Sequence, residues 1–170
     1  MKVVLLGYMA SGKSTVGRLL ARQLGMEFID LDEYIEHDQK KSIKDIFSEK
    51  GEIFFRKLEH QMLKEVLEKD ESIVLSTGGG TPCYGNNMDT ILKQSEHSVY
   101  LNLSIPKLVD RISKEKEDRP LVRNISDEEL PEFIGKHLFE RRPYYLQAKH
   151  ILDCNDANAE TVTENIKELL

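Results

Sequence analysis

The sequence predicts an α/β fold of three layers: a central five-stranded parallel sheet with helices on both faces, built as one domain over residues 1–170. Three observations carry this reading. Short apolar runs of strand length alternate with longer stretches of helical period along the whole chain. The first run, Val3-Val4-Leu5-Leu6, passes into a glycine-bearing turn and then into a helical pattern at Val16, Leu19, Leu20 and Leu24. Polar and glycine-rich segments stand directly after the second and third runs, where ligands bind in open parallel sheets.

Strands are expected at 2–6, 27–31, 72–76, 98–103 and 149–153. Helices are expected near 13–24, 33–38, 43–49, 52–69, 86–94, 105–114, 131–146 and 159–169. Gly25 closes the first helix in the usual C-terminal position. Ser42 and Asp45 form a capping pair ahead of Ile43 and Ile46. Ser104 precedes Ile105-Pro106, and proline is tolerated in a first helical turn. Pro143 falls inside the 131–146 pattern and is expected to kink or break it.

A hydrophobic content of 39% and a charged content of 32% fit a globular protein with a sizeable core. The net charge of −6 argues against general nucleic-acid or membrane-surface binding. No apolar run approaches the length of a membrane span, and the chain enters its first strand with no apolar leader, so neither a span nor a signal peptide is expected. Cys83 and Cys154 form no metal-like or redox spacing and are expected as reduced packing residues in a cytoplasmic protein. The five histidines form no ligand pattern. Arg111, Arg119, Arg123, Arg141 and Arg142 crowd one third of the chain, which suits a local anion site in an otherwise acidic protein.

Gly7-Tyr8-Met9-Ala10-Ser11-Gly12-Lys13-Ser14 has the spacing G-x-x-x-x-G-K-S. Its glycines let the backbone form a nest of N–H groups around a polyphosphate, and the following helix adds its free amides and positive dipole end. Lys13 reaches the outer phosphates and the Ser14 hydroxyl suits Mg²⁺, so an ATP-type nucleotide with one Mg²⁺ is expected.

The second strand ends in Asp30-Leu31-Asp32. A spacing of two puts both carboxylates on one side of an extended chain, where one holds the metal's water shell and the other takes or orients a hydroxyl proton. The competing reading makes Asp32 the cap of the next helix. The third strand lacks the terminal Asp of many phosphate-loop proteins, so Asp30 is the candidate metal-holding acid. Glu52, Phe55, Arg56 and Glu59 fall on one helix face, either as a solvated face with a Glu52–Arg56 ion pair or as an arginine held by acids and aimed at an anionic substrate. Gly78-Gly79-Gly80 lets a substrate approach the backbone closely, unless it is an ordinary turn. The polar stretch 114–124 is either a plain charged connection or a lid delivering Arg119 to a transferring phosphoryl group. Of the adjacent Arg141 and Arg142, at most one faces a site.

Together these pieces resemble the shikimate kinase family along nearly the whole chain. The phosphate loop with Lys13-Ser14-Thr15, Asp30-x-Asp32, Gly51-Glu52-x-x-Phe55-Arg56-x-x-Glu59, Gly78-Gly79-Gly80, Arg119-Pro120-Leu121 and Arg141-x-Pro143-x-Tyr145 match it in order and spacing. The resemblance implies a phosphate-loop kinase fold with a mobile lid at about 114–124 and a substrate-binding region at about 32–62. It implies transfer of phosphate from ATP to the 3-hydroxyl of shikimate by a monomeric enzyme. Lys13, Asp32 and Arg119 would be catalytic. Gly7, Ala10, Ser11, Gly12, Lys13, Ser14, Thr15, Arg111, Arg119 and Asn155 would bind ATP, with Arg111 along the adenine and Asn155 in the adenine loop. Asp32, Phe47, Phe55, Arg56, Gly78, Gly79, Gly80 and Arg141 would bind shikimate, with Arg56 and Arg141 on its carboxylate. Ser14, and Asp30 through water, would place Mg²⁺. Ala10 stands where the family often carries Gly, and its methyl is expected to be tolerated if its φ is negative.

Two other readings fit the phosphate loop. Gluconate and nucleoside monophosphate kinases share the loop and a lid, but the Arg56 and triple-glycine segments argue against them. A guanine-nucleotide switch would show Asp-x-x-Gly after a strand and Asn-Lys-x-Asp as base reader, and neither is in the sequence.

Overall fold

The structure, a computed structural model, describes residues 1–170. Its five strands are β1 (Lys2–Leu6), β2 (Glu27–Asp30), β3 (Ile73–Ser76), β4 (His97–Asn102) and β5 (His150–Asp153), all parallel, in the order β2-β3-β1-β4-β5. The helices are α1 (Lys13–Leu24), α2 (Leu31–Gln39), α3 (Ile43–Leu67), α4 (Asn87–Gln94), α5 (Ile105–Ser113), α6 (Leu130–Tyr145) and α7 (Ala159–Lys167). Right-handed crossovers put α1 on one face, since the chain moves left from β1 to β2, and the later helices on the other, since it then moves right. α7 returns to pack on α1, while α2 meets α3, α3 meets α4, and α5 meets α6.

β1, at the sheet centre, is fully buried from Val3 to Leu6, and β3 from Ile73 to Leu75. Strands covered on both faces read as continuous apolar runs, which is why alternation is missing from them. One core of 38 buried residues joins both helical layers. Gly17 permits the closest approach of α1: a β-carbon there would lie 2.5 Å from the Phe28 ring on β2.

Several local expectations meet the structure differently. Helix α2 begins at Leu31, two residues early, because the cap is Asp30: its Oδ1 accepts from the N–H groups of Asp32 at 3.0 Å and Glu33 at 3.2 Å. Asp32 therefore sits in the first helical turn and neither extends β2 nor caps α2. The expected separation of helices 43–49 and 52–69 is real but tight: α3 is two helical segments joined through Gly51, whose φ of 84° and ψ of 172° only glycine adopts easily. Pro143 does not end α6, which runs on to Tyr145. Lying in the last turn, it removes a single backbone bond, and the residue whose carbonyl is left free, Phe139, is exposed to solvent.

Ala10 departs from expectation in sign. Its φ is +62°, in the left-handed region, where an L side chain costs about 1–2 kcal/mol. The methyl is thus carried under strain, at the tip of the loop that faces the cavity described next.

Candidate active site

A cavity of about 520 Å³ opens at the carboxyl edge of the sheet. Its floor is the phosphate loop and the first turn of α1, through Ala10, Gly12, Lys13, Ser14 and Thr15; its walls include Asp30, Asp32, Ser76, Gly78 and Gly79, and Arg111 and Arg119 close its outer side. Most of the expected nucleotide and metal residues therefore meet in one place with Arg119, while Gly7 and buried Ser11 belong to the loop but do not line the cavity. Asn155 does not join them. Its amide links its own loop to the start of α5, with Oδ1 accepting from Ser104 N at 2.8 Å and Nδ2 donating to Asp153 Oδ1 at 2.9 Å.

The loop follows directly on buried β1. Gly7 continues it at φ 154°, and Gly12 takes φ 95° to launch α1 without a side-chain cap, so the first amides of that helix face the cavity. Lys13 is buried and donates to Gly7 O at 2.8 Å and Tyr8 O at 3.0 Å. Burial is the main force on it and lowers its pKa to about 8; Asp32 and Asp30 pull upward, and Arg119 and Arg141 push down. Ser14 Oγ donates to Asp30 Oδ2 at 2.7 Å and lies 3.4 Å from Ser76 Oγ. Arg111 Nη1 donates to Ala10 O at 3.2 Å, fixing α5 against the loop tip. Arg119 turns its fork onto Glu115, with Nε at 3.1 Å and Nη2 at 2.6 Å from one oxygen.

Beyond the phosphate loop, the glycine segment 78–80 lies against three charged side chains. A β-carbon on Gly78 would lie 3.1 Å from Asp32 Oδ1, one on Gly79 2.9 Å from Arg141 Nη1, and one on Gly80 3.1 Å from Arg56 Nη1 and 3.2 Å from Arg141 Nη2. Two guanidinium forks thus converge on one backbone position, with a carboxylate two residues away. Asp32 is held up near a pKa of about 6, first by burial and then by Asp30 and Glu59, against the opposing pull of Lys13. Arg142, the neighbour of Arg141, is exposed, and no contact ties it to the glycine segment.

Glu59 organises this wall. It is 1% exposed, receives Arg56 Nη1 at 2.9 Å on one oxygen, and accepts from Thr81 Oγ1 at 2.8 Å on the other. The Glu52–Arg56 pair expected from spacing is looser, at 3.8 Å, and solvated on the Glu52 side. Tyr84 carries the Arg56 guanidinium at 3.7 Å from its ring centroid. Phe55 is buried, and Phe47, half-buried, packs on it with ring centroids 4.5 Å apart, both within 6 Å of the Arg56 guanidinium.

Glu59 is the acid of the expected helix face that holds Arg56, whereas Thr81, Tyr84, Tyr8 and Tyr145 join the site without a role expected from the sequence. Tyr145 Oη donates to Gly79 O at 2.5 Å, and the hydroxyl of buried Tyr8 pairs with His137 Nδ1 at 2.8 Å. Only Glu59 and Tyr145 carried a signal, as fixed members of the spaced motifs. No helix in the structure is long and apolar enough to cross a membrane.

Residues 9–170 match the family model described as shikimate kinase. The chain is 43% identical to the shikimate kinase of Flavobacterium psychrophilum over 99% of its own length and 98% of that protein's. Among solved structures it is similar to shikimate kinase from Bacteroides thetaiotaomicron, with a TM-score of 0.92 and 39% identity, covering 99% and 97% of the two chains. It is also similar to shikimate kinase from Acinetobacter baumannii in complex with shikimate, with a TM-score of 0.88 and 31% identity, covering 99% and 91%. The chain belongs to the shikimate kinase family.

Proposed function

We propose that this kinase transfers the γ-phosphoryl group of ATP to the 3-hydroxyl of shikimate, a step of aromatic amino-acid biosynthesis, at the cavity described above. The observation that supports it best is the convergence of Arg56 and Arg141 at Gly80 with Asp32 at Gly78. Two like charges held this close repel each other. A carboxylate between them relieves that repulsion and accepts charge-assisted hydrogen bonds from both planar forks. A ring anchored there has its hydroxyls in reach of Asp32, beside the phosphate loop.

In this reading Gly7, Ala10, Ser11, Gly12 and Thr15 present backbone and hydroxyl groups to the phosphates, and Arg111 lies along the adenine, with Asn155 shaping its loop. Lys13 moves from the Gly7 and Tyr8 carbonyls to phosphate oxygens. Asp32 orients the hydroxyl and takes its proton; a pKa raised toward neutrality makes the carboxylate the stronger base that this work needs. Ser14 and Asp30 offer hard oxygen donors already 2.7 Å apart, which fits Mg²⁺ shared with phosphate and water. When bound, the ion neutralises charge on the phosphoryl oxygens. Phe47 and Phe55 back the ring pocket, and Gly78, Gly79 and Gly80 line it with bare backbone. We place these parts in a single domain, 1–170, with a substrate region at about 32–62 and a lid at about 114–124, acting as a cytoplasmic monomer without nucleic-acid or membrane partners.

A coupled ADP-release assay tests the reaction: folded protein turns over ATP only with shikimate, and gluconate or nucleoside monophosphates do not replace it. Arg56→Ala lowers kcat/KM for shikimate roughly 100-fold or more while the KM for ATP stays within about threefold. Equal losses for both substrates contradict the clamp.

The acidity of Asp32 gives a stability test. The unfolded side chain ionises near 3.8 and the folded one near 6, so the folded protein keeps a proton that the unfolded chain has lost in that window. Stability from this group falls as pH rises from 3.8 to 6 and stays lower above it. Asp32→Asn is expected to unfold in urea with about 1–3 kcal/mol more stability than wild type at pH 7.5, and with little difference near pH 4. A pH-independent gap contradicts the assignment.

Closure of the lid must release Arg119 from Glu115. Amide hydrogen exchange over 114–124 should slow when ADP and shikimate are both present; unchanged exchange speaks against a closing lid.

A further inference from the structure

The face of α6 that bears Arg141 carries two more polar side chains at helical spacing, His137 one turn before it and Tyr145 one turn after. Both are tied to other elements. Tyr145 bonds to the Gly79 carbonyl, and His137 bonds to the hydroxyl of Tyr8 in the phosphate loop. The helix is thus pinned to the glycine segment on one side of Arg141 and to the nucleotide loop on the other.

Arg141 needs such support. Arg56 is steered by the buried Glu59 carboxylate, whereas Arg141 makes no salt bridge. Its guanidinium lies 5.8 Å from the centroid of the Tyr8 ring. That ring meets His137 edge-on, with centroids 5.3 Å apart and planes at 85°, so the hydrogen bond and the ring contact together fix its plane. Tyr8 is 1% exposed, and its role toward Lys13 uses only its backbone carbonyl. The hydroxyl is therefore free for another purpose. Burial and then Arg141 hold His137 uncharged, with its pKa down to about 4, while burial raises Tyr8 to about 12. The pair is neutral beside the guanidinium and adds no rival charge.

We propose that Tyr8 and His137 are positioning residues for substrate capture: their hydrogen bond holds the Tyr8 ring as the platform for the Arg141 guanidinium, so that the phosphate loop itself aims one arm of the carboxylate clamp. This rests on Arg141 being a carboxylate ligand. It makes the identity of the second residue of the phosphate loop, whose side chain the nucleotide does not need, a determinant of shikimate affinity.

The test is steady-state kinetics on Tyr8→Phe, which keeps the ring, with His137→Leu and His137→Asn, the last retaining a polar group near Nδ1. Tyr8→Phe and His137→Leu should each raise the KM for shikimate about 3–10-fold, with the KM for ATP and kcat within about twofold. His137→Asn should recover part of the loss, and Tyr8→Phe with His137→Leu should be no worse than either alone. Shikimate binding measured by calorimetry on Arg141→Ala should not weaken further when Tyr8→Phe is added. An unchanged shikimate KM, an equal rise in the ATP KM, or a Tyr8→Phe effect that survives in Arg141→Ala overturns the proposal. Wild-type protein without shikimate-dependent turnover would sink the functional reading instead, so the two failures are distinct.

Discussion

Three missing side chains govern the arrangement of charge at the edge of this sheet. Gly78, Gly79 and Gly80 lie so close to Asp32, Arg141 and Arg56 that a methyl group on any of them would sit 2.9 to 3.1 Å from a charged atom. Contacts that short force either the backbone or the charged group to move. Because the backbone is bare, a helix from one side of the site and a helix from the other bring their guanidinium groups to one point, and an acid reaches the next residue but one. β3 delivers the segment there by running fully buried between β1 and β2, beside the strand that ends in the phosphate loop.

Concentrating charge in this way is unfavourable unless the groups are held. The protein holds them unequally. Arg56 has a buried carboxylate, a threonine behind that carboxylate, and an aromatic ring beneath it. Arg141 makes no salt bridge and has the Tyr8 ring 5.8 Å away, the Tyr145 hydroxyl beside it and a helix fastened at both flanking turns. Lys13 and Asp32 are shifted toward each other in acidity, one down to about 8 and the other up to about 6, chiefly by burial. Each is then closer to neutrality than an exposed group of its kind, which lowers the cost of keeping opposite charges out of water until substrates arrive. Strain at Ala10 sits at the tip of the loop that lines the cavity, while Lys40 at φ 55° and Gly51 at φ 84° lie at the exposed end of α2 and within α3.

Much of this was legible in the residues. The phosphate loop declares itself because its function is made by backbone, and the glycines and lysine that permit that backbone have fixed spacing. The strands were found to within one residue at each end, since strands covered on both faces leave unbroken apolar runs. Gly51 divided two helical patterns where the structure divides them. What stayed hidden depends on contacts distant in sequence. Spacing places Glu52 and Glu59 on the face of Arg56 but cannot say that the Glu59 side is dry, so it leaves open which acid holds the arginine more tightly. Of Asp30 and Asp32, the cap is chosen by where β2 stops pairing with β3. The sign of φ at Ala10 follows from loop closure. Tyr8 occupies a position the motif leaves open, and its partner lies 129 residues away.

The central claim is that one carboxylated alcohol and one nucleotide meet across this bare segment of backbone. A crystal structure of the protein with shikimate and ADP–Mg²⁺ tests it most directly. The account predicts the carboxylate between Arg56 and Arg141, the ring against Gly79 and Gly80, and the 3-hydroxyl at Asp32 facing the phosphates. Shikimate bound elsewhere, or turned so that its carboxylate points away from both arginines, would contradict it.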